Sequence, residues 1–210
     1  MKWFCCLFVG LFVCIFSFAQ QFEGEMCFVK TTYSDTLYYT YTIKGNNVRI
    51  DEYDKYNRLT YAYIVDIDKQ VVLLINPQKQ LYTQVEKSKE QKATCEVTHT
   101  GNYKYINGNK CVQWRIRNEE SNWEMTYWIA DGEYDFYKSM AKVASPIDDS
   151  FAYCSVLPEE AIQHAMPMMI ECKTLLRAPK STLRVTKITP HPIESSVFDI
   201  SQYQKFENLR

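Results

Sequence analysis

The chain has 210 residues, with 24 Lys and Arg against 25 Asp and Glu, and is 46% hydrophobic and 15% aromatic. That length suits one domain, at most two small ones, and the near-balanced charge lacks the basic excess that nucleic-acid binding leaves in a composition. The apolar content lies far from the highly charged, low-hydrophobicity corner where chains stay disordered.

Lys2 precedes an unbroken apolar stretch that ends at Ser17-Phe18-Ala19. A charged start, an apolar core and small residues three and one positions before the cut make 1–19 a secretory signal peptide, cleaved after Ala19. The run falls short of the roughly 20 residues of a membrane-spanning helix. Cys14 lies inside it and follows Val13, so no lipid anchor is expected. No later segment approaches spanning length, and 20–210 is expected to be a single exported domain, periplasmic or secreted. Five cysteines remain after cleavage: Cys27, Cys95, Cys111, Cys154 and Cys172. An oxidising compartment permits disulfides, and the odd count leaves at least one thiol over.

From Gln20 to about Asp131 the chain reads as successive strands. Leu37, Tyr39, Tyr41 and Ile43 alternate with Tyr38, Thr40, Thr42 and Lys44, a half-buried strand, and Gly45-Asn46-Asn47 turns it into Val48-Arg49-Ile50. Leu59 to Ile67, Val71 to Ile75 and Gln80 to Val85 continue an antiparallel meander. Val71-Val72-Leu73-Leu74-Ile75 is apolar on both sides and should be covered on both faces. Lys87 to Lys92 is a charged loop. Val112, Trp114 and Ile116 share one face of the next strand, and Trp123, Met125, Tyr127 and Ile129 repeat the pattern beyond a hairpin loop.

After Gly132 the alternation stops. Tyr134 to Ala144 and Pro158 to Met166 carry helix formers, the latter opening with Pro158-Glu159-Glu160, which suits a first helical turn. Strand character returns over Met168 to Leu175, Thr182 to Thr189 and Ile193 to Phe198. The expected fold class is α+β: a curled antiparallel sheet, a half-barrel, with short helices inserted across its concave face.

A search for reactive constellations finds little. His99 and His191 sit in loops, and Glu160 and His164 form a helical surface pair without further ligands. Asp51-Glu52-Tyr53-Asp54 and Asp148-Asp149 lack the spaced oxygens and glycine bend of a calcium loop and read as solvated turns. No nucleophile elbow, phosphate loop or dinucleotide fingerprint occurs. The chain is therefore read as a non-enzyme with no cofactor or metal. Cys95 and Cys111 flank two turn signals, Gly101-Asn102 and Asn107-Gly108, so the chain is expected to double back and pair them. Cys154 and Cys172 flank the second helix and form the other expected pair, with Cys27 left over and buried.

The segment Tyr105-Ile106-Asn107-Gly108-Asn109-Lys110-Cys111-Val112-Gln113-Trp114, followed by Trp128-Ile129-Ala130-Asp131, resembles the signature of an exported bacterial domain-of-unknown-function family. The resemblance continues at Ala165-Met166-Pro167-Met168 and at Val197-Phe198-Asp199-Ile200 with Tyr203. It departs from the pattern at Ala165, where the family tends to carry glycine, and at Ser201, where it carries proline, with one residue fewer before Tyr203. That family is similar to the LolA-like carriers of outer-membrane lipoproteins, which implies an antiparallel half-barrel with helices across an apolar concave side. It carries over no catalytic or binding residue.

Two functional readings stand at this stage. In the first, the protein is an exported, non-enzymatic envelope protein that binds an apolar ligand, a lipid or a lipoprotein acyl chain, between sheet and helices. Phe136, Met140, Met166, Met168, Trp114 and Tyr127 are then the expected pocket residues, because methionine and aromatic side chains adapt to variable apolar ligands. In the second, those residues fill the core and the protein is an interaction or structural module with envelope proteins as partners.

Overall fold

The computed structural model describes residues 21–86 and 94–206; the expected signal peptide and the Lys87 to Lys92 loop lie outside the described residues. In chain order it runs through β1 (Gly24–Thr32), β2 (Thr36–Lys44), β3 (Asn47–Tyr53), β4 (Leu59–Asp66), β5 (Val71–Asn76) and β6 (Leu81–Gln84). β7 (Glu96–Ile106), β8 (Asn109–Asn118) and β9 (Trp123–Asp131) follow, then the helices α1 (Phe136–Val143), α2 (Asp149–Ala152) and α3 (Glu159–Ile162). β10 (Ala165–Thr174), β11 (Pro179–Pro190) and β12 (Gln204–Lys205) close the chain. All described strands form one sheet in the order β12-β6-β5-β4-β3-β2-β1-β11-β10-β9-β8-β7, antiparallel except where β12 runs parallel to β6.

The sheet is open and curled, and the helical insertion between β9 and β10 lies in its concavity. α1 forms because Phe136, Tyr137, Met140, Ala141 and Val143 recur at helical spacing and make one buried stripe. It contacts both β4 and β10, so it bridges the two arms of the curl. The main core lies beneath it, between Met26, Tyr41 and Ile50 on one arm and Tyr127, Ile129 and Met168 on the other.

The apolar run of β5 is covered on both faces, as its sequence requires. Val72 joins the main core, whereas Leu73 and Ile75 face a second cluster with Ala62 and Ile64, capped by Phe198, Ile200 and Tyr203. The faces of β8 and β9 are also as expected, with Trp114 opposite Tyr127 and Ile116 opposite Met125.

Several sequence expectations are corrected. Gly101-Asn102 is a bulge inside β7, not a turn: His99 pairs with Trp114 and Tyr103 with Val112, so three β7 residues face Gln113 alone. The Gln113 side-chain carbonyl accepts from Thr100 Oγ1 at 2.7 Å and from Asn102 Nδ2 at 2.9 Å, which satisfies the bulged segment and lets the strand continue. Cys95, beside Asn118, and Cys111 therefore sit at opposite ends of the β7–β8 hairpin, roughly 20 Å apart at the usual strand rise. That is far beyond the reach of about 7 Å for a disulfide. The described cysteines, Cys154 and Cys172 included, are free thiols, and Cys27 is half-buried on β1.

The second expected helix is a single turn, α3, and Ala165 and Met166 already belong to β10. Pro167 cannot donate to the ladder. The register slips there, leaving Met168 as the extra, fully buried residue. Ile193 to Phe198 ends in a 3-10 turn at Ser195–Phe198 instead of a strand.

Candidate functional site

The segment between α1 and α3 forms a roof over the sheet. Its middle piece, α2 with the 3-10 turn Tyr153–Val156, has no counterpart in the sequence expectation. The Asp148 carboxylate caps α2 by accepting the Ser150 N–H at 2.8 Å and pairs with Lys30 Nζ on β1. From the sheet, the Tyr127 hydroxyl donates to the Ser150 carbonyl at 3.0 Å. The Trp123 ring lies 4.2 Å, centroid to centroid, from that of Tyr153. The roof is thus pinned by an ion pair, a buried hydrogen bond and aromatic contacts.

Between roof and sheet lies an open cleft of about 1390 Å³. Its floor is apolar, with Trp123, Met125, Ile170 and Leu183 from β9, β10 and β11, and Ile147 and Phe151 come down from the roof. Lys142 and Lys180 stand with Glu86 and Asp149 at its rim. Cys172 also lines it, and burial raises its thiol above the ordinary value. The volume exceeds the 300–1,000 Å³ of most small-ligand sites.

A second compartment of about 230 Å³ adjoins the cleft and shares Lys30, Ile147, Asp148, Ser150, Phe151 and Leu183 with it. Its remaining wall is the concave face of β2, β3 and β4, where strand pairing sets Tyr39 opposite Glu52, and Ile50 between Tyr41 and Tyr63. Tyr39 Oη donates to Glu52 Oε2 at 3.1 Å, and Thr60 Oγ1 to Glu52 Oε1 at 2.9 Å. Burial first, then the nearby Glu52 charge, pushes Tyr39 well above its ordinary range, and Tyr63 is pushed up to about 12 for the same reasons.

Five of the six expected pocket residues lie in the core instead. Phe136, Met140, Met166, Met168 and Tyr127 are buried among helices and sheet, and Trp114 is half-buried, stacked on His99 at 4.6 Å. The structure brings none of the six to either compartment. Nor does Glu160 partner His164, which pairs with Asp135, while neighbouring Glu159 pairs with Lys138. The lining residues that sequence reasoning missed carried a partial signal. Tyr39 and Tyr41 stood out by alternation, but Glu52 was hidden in an acidic run that read as a turn and in fact continues β3.

An open, curled antiparallel sheet with a helical roof over its concave side is the class of protein that fold and cleft define. The chain belongs to the family described as a domain of unknown function (DUF4412), which matches residues 22–202. Comparison with curated proteins gives no match. Among solved structures, an uncharacterized conserved protein from Thermus thermophilus is similar at TM-score 0.54 and 6% identity, covering 88% of this chain and 90% of that one. The Pseudomonas aeruginosa MucA/MucB complex is similar at TM-score 0.50 and 8% identity, covering 89% of this chain and 58% of the other. Identities this low show a shared fold alone. No described helix is long and apolar enough to cross a membrane.

Proposed function

We propose that the protein is a non-enzymatic binding protein of the cell envelope, exported by the signal peptide 1–19, that holds an apolar ligand in the cleft between sheet and roof. The ligand class is a lipid or the acyl chain of a lipoprotein. The observation that carries this reading is the cleft of about 1390 Å³ with its apolar floor of Trp123, Met125, Ile170 and Leu183 and its charged rim. Apolar surface in an open groove is covered at a gain of roughly 25 cal/mol per Å² removed from water, and the rim lysines leave a polar head group in contact with solvent. A module with a filled interior fits this geometry less well, because a cleft of this size stays open between roof and sheet.

The test is to extract the purified mature protein and identify lipids by mass spectrometry, and to titrate it with a hydrophobic fluorophore. Co-purified lipid and saturable fluorophore binding, weakened about tenfold by Leu183→Trp, which fills the cleft, are expected. Absence of both lipid and fluorophore binding overturns the reading.

A further inference from the structure

We propose that the smaller compartment is a binding site for an organic ammonium group, on the geometry of Tyr39, Tyr41, Tyr63 and Phe151 around the Glu52 carboxylate. Each element of such a site is present. Cations sit over the faces of aromatic rings, which carry partial negative charge, and they do so most strongly when desolvated. Here the rings of Tyr39 and Tyr41 stand at 88° to each other with centroids 6.4 Å apart, forming two walls of a corner. Tyr41 and Phe151 lie 6.4 Å apart at 49°, closing a third side from the roof. Tyr63 comes from β4, next to Ile50.

The charges lining the compartment are Glu52, Asp148 and Lys30. Lys30 is already matched by Asp148, which leaves the Glu52 charge. The two hydrogen bonds that Glu52 accepts, from Tyr39 and Thr60, fix its orientation and neutralise nothing. A compartment with one net negative charge and aromatic walls suits a monovalent organic cation and disfavours anions. Ser150 lies where the two compartments meet.

Two sources supply this chemistry: a free small amine, or the head group of an amine-bearing lipid whose chains lie in the adjoining cleft. In the second form the proposal rests on the lipid-binding reading above. The compartments share Lys30 at their junction, where a head-group phosphate would lie between chain and ammonium.

The mature protein is titrated with tetramethylammonium chloride and, separately, with tert-butanol, a neutral molecule of similar size, and followed by saturation-transfer NMR. Tetramethylammonium is expected to bind at least tenfold more tightly than tert-butanol. Glu52→Gln and Tyr63→Leu should each weaken it at least fivefold, while Tyr63→Phe, which keeps the ring, retains it. Near-UV circular dichroism, measured on the same samples, reports that the variants are folded. Equal binding of the two probes, or unchanged ammonium binding in both Glu52→Gln and Tyr63→Leu, overturns the proposal. Absence of both lipid and fluorophore binding in the parent protein, with ammonium binding intact, would instead overturn the lipid reading and leave this site standing. With vesicles of equal phosphatidylethanolamine and phosphatidylglycerol, preferential extraction of the former identifies a lipid source. Ammonium binding without that preference identifies a free amine.

Discussion

Lys30 on β1 reaches the carboxylate of Asp148, the residue that caps α2, and so ties the sheet to the roof at the seam between the two compartments. Both side chains are only about one-fifth exposed, at 23% and 21%, so this pair is screened less than a surface ion pair. Asp148 serves twice, as cap and as counter-ion, whereas Lys30 serves once. Asp148→Ala is therefore expected to cost about 1–2 kcal/mol, in the range of a lost cap, and Lys30→Met about half of that. Thermal melts give the ranking. Hydrogen exchange should show the loss concentrated in 145–156, and uniform loss of protection across the sheet would refute the assignment of this pair to the roof.

The same seam shows what the sequence could and could not disclose. β5 announces its two covered faces because five successive apolar residues leave no side for water. β8 and β9 announce theirs by alternation. Periodicity reports which side of a strand is apolar, but it does not report whether the space above that side is filled. Phe136, Met140 and Met168 thus read as pocket residues although the cleft does not reach them, and it is lined by other members of the same core, Leu183 and Ile170 among them, which no local pattern distinguishes. The β7 bulge was illegible for a related reason. Gly101-Asn102 has turn chemistry, and only the hydrogen bonds from Thr100 and Asn102 to Gln113, across the ladder, decide that the strand continues.

Among the described glycines, Gly24 is the one at which a side chain is least tolerable. Its φ of +149° lies where side chains are rarely accommodated, and a Cβ there would fall 2.4 Å from the Thr189 carbonyl oxygen and 2.8 Å from Pro190 Cα. Both are backbone atoms of the neighbouring strand, since Gly24 pairs with Pro190 at the end of the β1–β11 ladder. Gly24→Ala is expected to destabilise by about 1–3 kcal/mol, measured by denaturant unfolding. Gly45→Ala, with positive φ but open space, should cost less. A reversed order would contradict the close approach of β1 to β11.

Alkaline pH should unfold the protein. The Cys154 thiol is pushed up to about 12 by burial, and burial also raises the hydroxyls of Tyr41, Tyr127 and Tyr137. A group that holds its proton more tightly when folded adds stability that is complete below its unfolded pKa. That stability is lost as pH rises through the folded one. Stability is therefore expected to fall steadily from about pH 9 towards pH 12, near the ordinary thiol and phenol values at the lower end. Circular dichroism should change together with the last part of the tyrosinate absorbance, the part that Tyr41, Tyr127 and Tyr137 contribute on unfolding. Complete tyrosinate formation in a still-folded protein would show that these hydroxyls are accessible.

Arg49 holds the segment that covers the far face of β4 and β5. Its Nε donates to Asp51 Oδ1 at 2.9 Å, and its Nη1 to the Val197 carbonyl at 2.9 Å, just before Phe198 and Ile200 pack on Ile75 and Ala62. Burial raises the Asp51 carboxyl above its ordinary value, while the Arg49 charge and hydrogen bond oppose the shift. Arg49→Ala removes that opposition, leaving a half-buried carboxylate without its counter-charge and a carbonyl without its donor. The expected cost at pH 7 is about 1.5–3 kcal/mol, the range for hydrogen bonds to charged groups. In the variant the Asp51 pKa rises further, so the folded state takes up a proton more readily than the unfolded chain. Protonation then relieves the unpaired charge, and the difference from the parent should narrow as pH falls below the folded pKa of Asp51. Urea unfolding of both proteins at pH 7 and pH 4 measures this directly. A deficit that stays constant or widens at pH 4 would mean that Arg49 acts through Val197 alone, and Asp51→Asn in the Arg49→Ala background would then recover nothing.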